Sequence, residues 1–162
     1  MMKELLLLRH AKSSWEFLVE DRNRTLTEGG IQRAIAMATA SKDVLNEFEI
    51  VYSSPANRAL HTACIMMHEI QKPFKQLNVR EPLYTFETSQ LIQFIKSLPD
   101  QYAKVICVGH NPAFTQAVTV LSTTDLDHLP TAAWARIQFE QEEWKNVQNG
   151  KASLGLPKNI LK

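Results

Sequence analysis

Apolar positions along this chain come in short blocks whose spacing alternates between strand-like and helix-like. Leu5-Leu6-Leu7-Leu8 is a continuous run between Glu4 and Arg9, a pattern that suits a strand covered on both faces better than one alternating between core and water. Residues 11–26 carry no sustained period, and Asp21-Arg22-Asn23-Arg24 reads as a polar surface loop. Thr27 is placed to cap a helix bearing Ile31, Ala34, Ile35 and Ala38 at i, i+3, i+4, i+7 spacing, with Gly29 and Gly30 weakening its first turn. Ile50-Val51-Tyr52 predicts a second strand, Ser53-Ser54-Pro55 a turn, and residues 56–70 a helix burying Ala59, Leu60, Ala63, Ile65 and Met66. A third strand is expected at 76–79, then a helix capped by Thr88 or Ser89 and bearing Leu91, Ile92, Phe94, Ile95 and Leu98. The strand pattern at 104–108 is broken by Gly109-His110-Asn111-Pro112 and followed by a helix over 113–121 and a strand-like stretch at 133–139. The tail from residue 146 is polar, with Leu154, Leu156 and Ile160 available to dock.

This alternation predicts an α/β fold: a mostly parallel central sheet with helices on both faces, a three-layer α/β/α sandwich. Ligands of such sheets gather at the carboxyl ends of the strands. Three predicted strand ends carry the same kind of residue: Arg9-His10 after the first, Arg58 just beyond the second, and His110 after 104–108. At 162 residues the chain is of a size for one domain, here 1–162, without internal repeat or linker.

Composition narrows the chemistry. With 44% hydrophobic and 22% charged residues the chain is ordinary for a globular protein, and a formal charge of +1 gives no global attraction to nucleic acid. Anion binding therefore has to come from locally grouped arginines. The apolar run at the N-terminus is too short for a membrane span or a signal segment, so neither a membrane partner nor export is expected, and the cytoplasm is the expected location. Cys64 and Cys107, without CxxC spacing, read as buried structural thiols.

Two arginines and two histidines at one sheet edge would form a cationic pocket, because guanidinium forks match phosphate oxygens. In such a pocket an unprotonated imidazole can attack phosphorus, and neighbouring arginines favour the neutral ring. Fixed donors from Arg9, Arg58 and His110 would stabilise charge spread over the equatorial oxygens. No metal or other cofactor is expected, since the sequence has no HxxxH or CxxC pair and the arginines oppose a cation. Taken singly, Arg58 reads as a helix-surface residue and His110 as a turn cap.

Three blocks, Leu8-Arg9-His10-Ala11-Lys12, Ser53-Ser54-Pro55 with Arg58-Ala59 and Thr62-Ala63, and Val108-Gly109-His110-Asn111-Pro112, resemble in order and spacing the signatures of the histidine phosphatase superfamily. Leu26-Thr27-Glu28-Gly29-Gly30 resembles its Leu-Thr-x-x-Gly helix start, so the likeness covers nearly the whole chain. The resemblance implies a phosphoglycerate mutase-like fold, His10 as a nucleophile that becomes transiently phosphorylated, and Arg9, Arg58 and His110 as the other phosphate-binding residues. Ala11 in place of the usual Gly, followed by Lys12-Ser13-Ser14-Trp15, is similar to the SixA-type protein phosphohistidine phosphatases. Where many members have an Asn that donates to phosphate this chain has Glu16, expected to face away.

A proton donor for an alkoxide leaving group is not evident. Glu81 and Glu87 lie in about the right stretch but read as surface or cap residues. A phosphohistidine substrate expels imidazole and needs less acid assistance, so a phosphorylated protein, such as a histidine phosphotransfer domain, is the expected partner. A small phosphomonoester, with Glu81 or Glu87 as acid, is the alternative, and a non-catalytic phosphate-binding module the third reading. Lys12, Arg22 and Arg24 read as a solvated loop that a partner could touch.

Overall fold

The computed structural model describes residues 1–162. Six strands, β1 (Glu4–Arg9), β2 (Ile50–Ser53), β3 (Leu77–Val79), β4 (Lys104–Gly109), β5 (Trp134–Gln138) and β6 (Lys151–Gly155), form one sheet in the order β3-β2-β4-β1-β5-β6. β1 pairs in parallel with β4, β4 with β2 and β2 with β3. β5 is antiparallel to both of its neighbours, so it alone runs the other way. β1 and β4 are central, as their uninterrupted apolar runs require, since both faces of each are covered.

Side chains alternate across β1 and thereby join two cores. Leu5 and Leu7 pack in one with Leu91 and Ile95 of α4 (Thr88–Lys96) and Phe114 and Val118 of α5 (Ala113–Leu121). Leu6 and Leu8 pack in the other with Ala34 and Met37 of α1 (Glu28–Ala40) and Ala63 and Met66 of α3 (Asn57–Glu69). Short helices α2 (Lys42–Leu45) and α6 (Pro157–Ile160) complete the second layer's side. The result is the α/β/α arrangement that the sequence pattern predicts. No helix is long and apolar enough to cross a membrane.

Local differences have physical reasons. α3 buries Arg58, Ala59, Thr62, Ala63, Met66 and Met67, whereas Leu60 and Ile65 are only half-buried, because the helix turns its small and polar residues toward the sheet end. α1 begins as read, the Thr27 hydroxyl accepting from the Gly30 amide, but α4 has Glu87 in the cap position, with Thr85 Oγ1 accepting the Glu87 amide instead. β6 forms within the polar tail, where the sequence pattern predicts docking apolar residues but no strand. Trp134 and Trp144 are core residues, their indole N–H groups donating to Ser41 Oγ and the Tyr102 carbonyl. Cys107 is fully buried, Cys64 only partly.

Candidate active site

The parallel register brings three strand ends to one level, Arg9 opposite Gly109 and Ser53 opposite Val108. His10 follows β1, His110 follows β4, and α3 starts four residues beyond β2 with Arg58 in its first turn. Arg9, His10, Arg58 and His110 consequently line one cavity of about 470 Å³. Lys12, Ser13, Trp15, Asp21, Arg24, Phe86, Asn111 and Thr131 complete its wall.

Backbone contacts fix the two histidines. The His10 amide donates to the Gly109 carbonyl, and the Ala11 amide to Thr62 Oγ1, whose own hydroxyl donates to the Arg58 carbonyl. The segment before β5 closes behind them, the Ala132 amide reaching the carbonyls of Arg9 and His10. His10 Nδ1 lies 2.7 Å from the Ala11 carbonyl oxygen. A carbonyl can only accept, so the proton of a neutral ring sits on Nδ1 and leaves Nε2 with a lone pair. The Arg58 Nε–H points at that lone pair from 3.4 Å.

Electrostatics keeps both rings neutral. Burial, with lesser contributions from Arg58, Arg9 and Arg24, pushes His10 down to about 4 despite the opposing Ala11 hydrogen bond. Burial, His10 and the arginines push His110 down to about 3. Arg9 is itself lowered by burial and by Arg58, while its Nη1 donates to the Leu129 carbonyl at 3.1 Å.

Arg58, read singly as a helix-surface residue, is 2% exposed. Its Nη1 donates to the Asp21 carbonyl at 2.7 Å and its Nη2 to Asp21 Oδ2 at 2.9 Å. Asp21 also accepts from the Tyr84 hydroxyl at 2.6 Å and from Arg24 at 3.2 Å. Burial alone would raise the Asp21 carboxyl, but the Tyr84 hydroxyl, Arg58 and Arg24 outweigh it and hold it at about 2. Sequence reasoning missed Asp21, which stands in a polar cluster indistinguishable from a solvated loop. Arg24, assigned to that loop, is buried: it donates to the Ser14 carbonyl and to Ser13 Oγ and stacks 3.3 Å from the Trp15 ring centroid.

Neither glutamate of the sequence reading lines the cavity. Glu81 is exposed and held in a two-pronged ion pair by Arg22, whose hydrogen bonds lower its carboxyl. Glu87 is exposed at the start of α4, and Glu16 is exposed and outside the cavity wall. Lys12 is exposed at the rim.

The model of the histidine phosphatase superfamily, branch 1, matches residues 5–83, a span that includes Arg9, His10 and Arg58. Over that span, just under half of its length, the chain is similar to the histidine phosphatase superfamily. Among other members of this fold, the structure of the protein histidine phosphatase SixA in complex with tungstate superposes with a TM-score of 0.81 at 23% identity, covering 98% of this chain and 99% of that one. The phosphoserine phosphatase of Entamoeba histolytica, solved with 3-phosphoglyceric acid, gives 0.70 at 18% identity over 98% and 100% of the two chains. An uncharacterized chloroplastic protein of Arabidopsis thaliana is 29% identical over 156 residues, 90% of this chain and 70% of that protein. The superfamily match ends at residue 83, so the placement of His110 beside His10, with ring centroids 5.3 Å apart, is a finding of the structure.

Proposed function

We propose that this protein is a histidine phosphatase that hydrolyses phosphohistidine on a protein, passing the phosphoryl group through His10. Nε2 of His10, deprotonated because Nδ1–H is committed to the Ala11 carbonyl, attacks phosphorus as the bond to the substrate imidazole breaks. Arg9, Arg58 and His110 hold the phosphoryl oxygens, and the fixed donors favour the transition state because they need no reorganisation. Water then hydrolyses the phosphorylated His10, releasing inorganic phosphate and restoring the Nε2 lone pair.

The observation that carries the choice of substrate is the state of the one carboxylate in the cavity wall. Asp21 is bound by Tyr84, Arg58 and Arg24 and held at about 2, so near neutrality it has no proton to give an alkoxide. Imidazole is a far better leaving group and needs less acid. The rim supports a macromolecular substrate: Trp15, 78% exposed, is also a wall of the cavity, and Phe17, Leu18 and Val19 continue the exposed apolar surface beyond it. A folded protein delivering its side chain to His10 would cover surface that is otherwise costly to leave in water.

A small phosphomonoester is favoured by a different feature, the polar groove of about 770 Å³ that adjoins the cavity through Asn111 and is lined by Thr115, Gln116, Thr119 and His128. The two readings separate in one assay. A chemically phosphorylated histidine phosphotransfer domain and a panel of phosphomonoesters are offered to the protein and to His10→Ala, and phosphate release is followed. Release mainly from the phosphohistidine domain, lost in His10→Ala, is expected. Faster turnover of a monoester would select the alternative, and binding without turnover a recognition module. Brief reaction with labelled substrate should leave an acid-labile, base-stable phosphate on His10.

A further inference from the structure

Ser54 belongs to a strand-end turn that the proposed reaction does not use, yet it touches the site through His110. The Ser54 hydroxyl is fully buried and lies 2.8 Å from His110 Nε2. It also accepts the Ala56 amide at 3.2 Å. Its neighbour Ser53 directs its own hydroxyl elsewhere, to the Ser54 carbonyl. For the single proton of the Ser54 hydroxyl, the structure offers no acceptor other than His110 Nε2.

We infer that Ser54 is a positioning residue that holds His110 in the tautomer protonated on Nδ1. The inference rests on the phosphate-pocket reading above and deepens it. A hydroxyl donating to Nε2 requires a lone pair there, and a neutral imidazole with its lone pair on Nε2 carries its proton on Nδ1. Nδ1 of His110 is a buried nitrogen with no hydrogen-bond partner in the protein, and Arg9 Nε, in the same cavity wall, is another. A buried N–H without a partner is costly unless a ligand completes it. His110 lines the same cavity as His10, and an oxygen of the phosphoryl group is the acceptor such a donor lacks.

The two histidines thereby differ in function although both are neutral. His10 gives its Nδ1 proton to a carbonyl and presents a bare Nε2, as an attacking group must. His110 has its Nε2 occupied by Ser54 and presents Nδ1–H, as a phosphate donor must. Were His110 in the other tautomer, Nδ1 would present a lone pair to anionic oxygens, replacing attraction by repulsion. Tyr84 and Phe86, with ring centroids each 5.5 Å from that of His110, pack against the imidazole and supply no competing hydrogen bond to it.

Nitrogen-15 NMR of the histidine-labelled, full-length protein at neutral pH tests this without any substrate. A pyrrole-like Nδ1 and a pyridine-like Nε2 on His110 are expected, with the Nδ1 proton shifting when inorganic phosphate is added. An Nε2–H tautomer or an imidazolium in the wild type overturns the inference. In Ser54→Ala the tautomer preference should be lost, and kcat should fall on the order of 10²-fold, the usual cost of one misdirected donor, with KM changing much less. Ser54→Thr, which keeps the hydroxyl, should recover the tautomer and most of the rate. Full kcat in Ser54→Ala, or a melting temperature so lowered that the protein no longer folds in Ser54→Thr and Ser54→Ala alike while the wild type shows the Nε2–H form, counts against it. If the wild type shows the Nδ1–H form but releases no phosphate from a phosphohistidine domain or from para-nitrophenyl phosphate, the proposed function fails while the tautomer assignment stands.

Discussion

Arg58 has its three nitrogens committed in three directions, to the Nε2 of His10, the Asp21 carbonyl and the Asp21 carboxylate. A lysine would keep the charge but not the planar fork. Arg58→Lys should therefore lower kcat/KM by about 10²-fold or more with His10 still in place, and an activity within a few-fold of wild type in steady-state assays would contradict this geometry. The same pocket fixes a pH response. Because His10 is displaced from 6.5 to about 4 and His110 to about 3, the unfolded chain binds protons before the folded one does. Their contribution to stability is complete above pH 6.5 and is lost as pH falls through about 4 for His10 and about 3 for His110, roughly 3 kcal/mol for His10 alone. Urea melts between pH 7 and 3.5 should show this loss, and His10→Ala should flatten it. Proton NMR should find the His10 ring titrating near 4; a midpoint near 6.5 would remove the physical basis for a neutral nucleophile. Arg9, His10, Arg58 and His110 are legible in the sequence because a strand end followed by such a residue is a local signal. Asp21 is not, because its meaning comes from Tyr84, 63 residues away, and from Arg58.

At the level of elements, α1 holds the loop that leaves the site. A methyl group on Gly30 would run into the Lys12 carbonyl oxygen, and this backbone cannot give way without moving the neighbouring Ala11 carbonyl that orients His10. Gly30→Ala is expected to cost about 1–3 kcal/mol as an overpacked contact and to lower kcat as well, read from denaturant melts and turnover measured together. Unchanged turnover in a destabilised variant would separate the helix from the site. Continuous or 3.6-periodic apolar runs made β1, β2, β4, α1 and α5 readable. β6 was not readable: as an edge strand with Lys151 and Ser153 exposed, it has no apolar run, and its pairing with β5 supplies the order that its composition lacks. The α3 face was misjudged for a related reason. A helix abutting a polar site buries Arg58 and Thr62, which hydrophobic periodicity counts as outside.

For the whole molecule, the uneven placement of apolar surface carries the next expectation. Arg24 stacks against Trp15, which walls the cavity, while Phe17 and Leu18, two and three residues further along the chain, are exposed. Replacing both in Phe17→Ser/Leu18→Ser removes nothing from the core. With a phosphohistidine-bearing histidine phosphotransfer domain, kcat/KM should fall by tenfold or more, as expected when one or two buried apolar side chains are lost from an interface. Turnover of para-nitrophenyl phosphate should remain as it was. Equal losses on both substrates would mean that the loop shapes the pocket rather than meeting a protein.

The position of β1 has a consequence for biosynthesis. The strand that leads into His10 is synthesised before its two sheet neighbours, β4 and β5, which lie about a hundred residues or more downstream. Until they emerge, four consecutive leucines wait without a sheet on either side. A nascent chain that has not yet made β4 and β5 is therefore both inactive and exposed to aggregation, and the site is assembled only once they have emerged.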